Sequence, residues 1–279
     1  TAGGATYGPV AKLMFQAILP STGYIGWRFL ERSLETQQEI LSESAPIARA
    51  TDYFREKIGA ITSAKDLVAD RQLLTVALGA FGLDDDIDNK FFIQKILSDG
   101  TTADDALANR LADKSYATLS AAFGFGDPAG PRTGLSSFAE TIVARYEKKQ
   151  FERAVGEQNN DLRLALNIKD GLKDLTTQTL GEDARWFSML GNGPLRTIFE
   201  TALGLPSSIA QIDLDKQLTS FKERSDAVFG TDKLDDFNDP DKQEELLRMF
   251  LIRSEANSFS GMSGNNIALT LMQSAPRLF

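Results

Sequence analysis

Apolar residues recur along this chain at intervals of three and four, the spacing that lines one face of a helix. The stripe is clearest over 70–97, where DRQLLTVALGAFGLDDDIDNKFFIQKIL holds two striped segments joined by an acidic turn. Leu67, Leu74, Val76, Leu78 and Phe81 predict a first helix over 67–81. Ile87, Phe91, Phe92 and Ile96 predict a second over 87–97. Gly82 stands where the first helix stops, because the residue after a helix end commonly enters the left-handed region, which only Gly does cheaply. Asp84, Asp85 and Asp86 then read as the cap and first-turn charges of the second helix. The stretch is an αα-hairpin.

The same period runs through the rest of the chain. Trp27, Leu30 and Leu34 open a helix that breaks over 42–46, since Pro46 disfavours helical backbone at Ala45. A helix over 47–58 follows, and Ser63 or Thr62 is the natural N-cap of the next, with Asp66 in the capping-box place. Short helices are expected over 103–111 and from Tyr116 to Phe123. Longer ones are expected over 135–155, 162–175 and 181–190. Pro194 suits a helix start, and Asn238-Asp239-Pro240 caps a last helix over about 241–255. No run alternates with period two, so the expected fold is all-α, with ten to twelve helices.

The hairpin has an echo. At an offset of 122 residues Thr75 falls on Thr197, Val76 on Ile198, Ala80 on Ala202, Gly82 on Gly204 and Ile87 on Ile209. Continued at the same offset, Phe92 falls on Leu214 and Ile96 on Leu218. The glycine stop and the apolar stripe coincide, while Ser207 and Ser208 stand where the acidic turn was. A helical unit of about 120 residues, present twice, accounts for this pattern. The expected organisation is a flexible tail over 1–17, repeat one over 18–127, a Pro/Gly-rich linker over 128–134 (PAGPRTG), repeat two over 135–257, and a tail or short helix over 258–279.

Charge and composition narrow the function. Acidic side chains outnumber basic ones 39 to 30, a net charge of −9. That field repels phosphate backbones, so neither nucleic acid nor an anionic membrane is an expected partner. The one basic stretch, Arg145 to Lys149 with Arg153, is interrupted by Glu147 and Glu152 and reads as a solvated helix face. No apolar run approaches the roughly 18 residues of a membrane-spanning helix. The chain has no Cys and no His, which removes disulfides, thiolate nucleophiles, imidazole bases and Cys/His zinc sites.

Candidate chemistry is correspondingly sparse. Asp84, Asp86 and Asp88 fall at positions one, three and five of a calcium-type loop, but Asn89 and Lys95 occupy the places that need Gly and a bidentate Glu. The glycines at 124, 126 and 130 miss the dinucleotide fingerprint and follow no strand. Glu182-Asp183 and Asp235-Asp236 are carboxylate pairs, yet adjacency in sequence does not set them across a cleft. The sequence assigns no catalytic, cofactor-binding or metal-ligating residue.

The segments Gly23-Tyr24-Ile25-Gly26-Trp27-Arg28-Phe29-Leu30, Tyr53-Phe54-Arg55-Glu56-Lys57-Ile58 and above all Ala64 to Leu83 resemble an alphaproteobacterial family known as a domain of unknown function. The resemblance covers most of the chain. It implies an all-helical, duplicated fold and an association with the flagellum, and it carries no catalytic residues. The expected role is therefore that of a non-enzymatic protein displaying helix surfaces to protein partners, flagellar components among them. It would be cytoplasmic, or exported to the flagellum. The alternative is a small-molecule binder or carboxylate-based hydrolase using a cleft between the repeats.

Overall fold

The computed structural model describes residues 15–176 and 180–274, with side chains as far as Ser258. Most of the described residues are helical, and no strand occurs among them. It is the all-α fold that the periodicity predicts. There are thirteen α-helices in the described residues, against the ten to twelve expected. These are α1 (Gly23–Ser42), α2 (Ala45–Lys57), α3 (Ala64–Ala69), α4 (Arg71–Gly79), α5 (Lys90–Asp99), α6 (Leu107–Arg110) and α7 (Ser115–Phe123). They are followed by α8 (Phe138–Gly156), α9 (Asn160–Thr176), α10 (Glu182–Gly191), α11 (Gly193–Leu203), α12 (Leu214–Phe229) and α13 (Pro240–Ser274). No helix in the described residues is long and apolar enough to cross a membrane.

The chain forms two compact units. One is Ser33–Ala154 with the segment ending at Ile18; the other is Leu19–Arg32 with Val155 onwards. The division thus falls inside α1 and again inside α8, and residues 128–134, expected as a linker, lie within the first unit. There the Arg132 N–H donates to Phe123 O at 2.9 Å, and the buried Thr133 hydroxyl donates to Ile61 O at 2.5 Å.

In the first unit the helix expected over 67–81 is two helices. Ser63 caps α3 as expected, accepting from the Asp66 N–H. Asp70 then caps α4, its carboxylate accepting from the Gln72 and Leu73 N–H groups at 2.9 and 3.1 Å. An Asp with extended backbone satisfies donors that a new helix leaves orphaned, so a cap in mid-stripe divides it. Pro46 sits in the first turn of α2 behind the N-cap Ser44, where its missing N–H costs nothing. Phe54, Leu67, Leu73, Leu74, Val76, Leu78, Ile93, Leu97, Leu119 and Phe123 form one core. Burying each such side chain stabilises by about 1.5–3 kcal/mol.

The second unit is organised around α11, which packs against α9, α10, α12 and α13. Its aromatic spine runs Trp186, Phe199, Phe237, Phe229, with successive centroids 5.7, 5.2 and 5.4 Å apart and each pair edge-to-face. Tyr24 donates to Glu244 at 2.5 Å and Thr22 to Glu255 at 2.9 Å, fixing the start of α1 to α13. The last helix continues past the expected Glu255 to Ser274. The side chains of Ile267 to Met272, apolar-leaning but poorly amphipathic in sequence, lie outside the described residues.

The α4–α5 and α11–α12 hairpins share local geometry. Asp70 and Asn192, 122 residues apart, are both side-chain N-caps, each accepting from the N–H three residues on. Gly82 and Gly204 both take the left-handed backbone, at φ 73° and 66°. Leu67 and Met189, Leu73 and Leu195, Val76 and Ile198, and Ala80 and Ala202 are buried pair by pair. The turns differ: a short 3-10 helix over Asp84–Asp86 becomes a longer one over Ser207–Gln211. The register therefore slips by two residues, and α12 starts 124 after α5. Pairing Phe92 with Leu214 and Ile96 with Leu218 is corrected accordingly. The positions buried in both helices are Ile93 with Gln217 and Leu97 with Phe221.

Candidate functional site

The acidic turn of the first hairpin gathers polar groups from three other helices. Its aspartates do not cap α5, which starts only at Lys90 behind Asn89 and has no side-chain cap. The expectation of caps is corrected: a 3-10 turn fills the interval, and the carboxylates reach outward from it. Asp84 accepts from Gln150 Nε2 on α8 at 2.9 Å and pairs with Arg153 at 3.3 Å. Asp86 accepts from the Tyr116 hydroxyl on α7 at 2.5 Å and from Asn89 at 2.6 Å. Asp88 pairs with Arg71 on α4 at 2.6 Å. Asp85 is exposed. The calcium-type pattern is thus spread over separate partners, and no group of three or more acidic side chains among the described residues could hold a metal ion.

Two phenols border this turn. Burial, followed by the Asp86 hydrogen bond, pushes the Tyr116 hydroxyl up to about 12. Burial, followed by the Asp84 charge, pushes that of Tyr146 up to about 12 as well. Both stay neutral at any ordinary pH, so neither serves as a base. Gly79 in α4 makes room for Tyr146: a Cβ there would lie 2.7 Å from the ring. The basic stretch on α8, expected as a solvated face, is exposed at Arg145 and Arg153 but also packs inward. Arg145 stacks over Phe81 at 4.3 Å, Tyr146 is buried, and Lys149 pairs with buried Glu152 at 2.6 Å. The signal for this was Tyr146 itself, an aromatic in phase with Ile142 and Val143.

The carboxylate pairs of the second unit, opaque in sequence, do converge. Glu182 and Asp235 both bind Arg185, and Glu182 also accepts from the Leu234 N–H. Lys222 bonds Asp183 at 2.9 Å and lies 3.9 Å from Asp232. Trp186 Nε1 donates to Asp232 O at 2.9 Å. These contacts clamp the loop before α13 onto the start of α10. Beside the clamp, an open depression is lined by Asp235, Asp236, Asp239, Asp241, Lys242 and Glu245. Asp236 holds the Thr231 hydroxyl at 2.5 Å, and Asp239 caps α13 through the Asp241 N–H at 2.9 Å. Lys242 bridges Phe229 O and Glu245. A third group pairs the Tyr53 hydroxyl with the Asp70 cap at 2.7 Å. Desolvation pulls the Asp70 carboxyl up but is outweighed by Tyr53 and two backbone N–H groups, which leave it below its usual value.

In these clusters the carboxylates are engaged with cationic side chains, hydroxyls and backbone N–H groups. Their geometry is that of tethers. The family model described as "Protein of unknown function (DUF1217)" matches residues 80–243. The chain belongs to the DUF1217 family. Its match runs from the residue after α4 to the first turn of α13, taking in the acidic turn and all of the acidic depression's lining but Glu245. The DUF1217 chain is also similar to a protein of Agrobacterium tumefaciens known from an X-ray crystal structure. The two share 28% identity and a TM-score of 0.66, over 86% of this chain and 98% of that one. No curated protein matches the chain.

Proposed function

We propose that this DUF1217 protein is non-enzymatic and acts through protein contacts made by exposed helix surfaces. The observation that carries the reading is Phe91, which stands 84% exposed on α5. Burying a Phe side chain is worth about 1.5–3 kcal/mol, so an aromatic left in water on a well-packed helix is a natural anchor for a partner. Phe92, the next residue of α5, is stacked edge-to-face with Tyr116 of α7 at 5.4 Å, which ties the helix under Phe91 to its neighbour. The polar clusters, by contrast, are occupied in holding loops and helix starts in place.

The experiment places a photo-crosslinking amino acid at position 91 in living cells, with Asp85 as the exposed control. A discrete adduct at 91 that is absent at 85 is the expected result; with the cross-linker moved to exposed position 95, one turn on, Phe91→Asp should abolish capture while leaving thermal unfolding unchanged. Equal labelling at both positions overturns the reading. The flagellar setting implied by the family resemblance is tested apart from this by deleting the gene and scoring swimming and filament assembly. Fractionation of the same cells distinguishes a cytoplasmic from an exported protein. Normal motility with intact filaments removes the flagellum and leaves the contact surface standing.

We further infer that the two hairpins descend from one duplicated helical unit. The equivalent caps at Asp70 and Asn192, the left-handed glycines and the paired buried positions support this.

A further inference from the structure

We draw no further inference here: the strongest candidate, the open acidic depression formed by Asp235, Asp236, Asp239 and Glu245 at the start of α13, is an acidic cluster already engaged with Arg185, Thr231, backbone N–H groups and Lys242, with no second observation that points to a ligand.

Discussion

Gly79 shows how one missing methyl group can decide the fit of two helices. In an exposed helix interior Gly→Ala stabilises by about 1 kcal/mol, because glycine loses more backbone entropy on folding. Here the new Cβ would meet Tyr146 Cε2 at 2.7 Å and Cδ2 at 2.8 Å, and that ring is buried. Overpacking of this kind costs about 1–3 kcal/mol, so the clash outweighs the entropy. Gly79→Ala is expected to lower the urea unfolding midpoint, whereas Gly59→Ala, with open space around its Cβ, should leave it unchanged or raise it. Equal effects at the two positions would contradict the packing described for Tyr146. The phenols themselves set a pH limit. Tyr116 and Tyr146 titrate at about 12 in the folded chain against an ordinary 10.0. A group whose pKa rises on folding contributes stability that is complete below its unfolded pKa and is lost as pH climbs through the folded one. Stability should therefore fall between pH 10 and 12, in step with phenolate absorbance, and Tyr116→Phe should make that fall shallower. An unchanged slope in the variant would show that Tyr116 is not held neutral by its surroundings.

At the scale of the element, the acidic turn separates tertiary tethers from helix caps. Asp84 and Asp86 reach α8 and α7, while Asp85 is exposed and makes no such contact among the described residues. Removing a charged hydrogen-bond acceptor costs about 1–3 kcal/mol, and surface changes away from such features stay within about 0.5 kcal/mol. Asp84→Ala and Asp86→Ala should each destabilise by about 1–2 kcal/mol, with Asp85→Ala neutral. If all three instead weakened the chain equally, first-turn charge on α5 would be the better account. The two helices and the glycine stop of this hairpin were legible because periodicity and left-handed backbone are local properties. What the aspartates bind was not legible, since Gln150, Arg153 and Tyr116 lie 30 to 69 residues away in sequence. Asp70 is an intermediate case. It is a strong cap residue in plain view, hidden by an apolar stripe that continues through it on both sides.

At the scale of the whole molecule, the all-α fold follows from one period repeated along the chain, whereas the limits of its two units do not. The richest Pro/Gly stretch lies inside the first unit, and the division falls within α1 and α8, continuous helices with no composition change to mark it. Composition reports where a turn can form, not which core a turn joins. The carboxylate pairs at 182–183 and 235–236 were opaque for the same reason: Arg185 joins them across 50 residues, and nothing local announces it.

The duplication we propose is where local and long-range information meet. Caps, glycine stops and buried stripe keep one register up to the turn, and the slip of two residues afterwards is absorbed by the longer 3-10 helix at Ser207–Gln211. If hairpin geometry is set by caps and stripe, the turn is exchangeable. Replacing residues 84–88 by residues 206–212 should preserve helical circular dichroism, because Leu83 and Leu205 precede the two turns and the caps Asn89 and Asp213 follow them. The graft discards the carboxylates that hold Gln150, Arg153, Tyr116 and Arg71, so stability should drop by about 2–4 kcal/mol, near the sum of the single losses. A graft that folds with this loss means the hairpin is an autonomous design and the aspartates are an addition particular to the first unit. A graft that loses its helices means the acidic turn shapes the hairpin, and the likeness of the two would then be one of pattern rather than of descent.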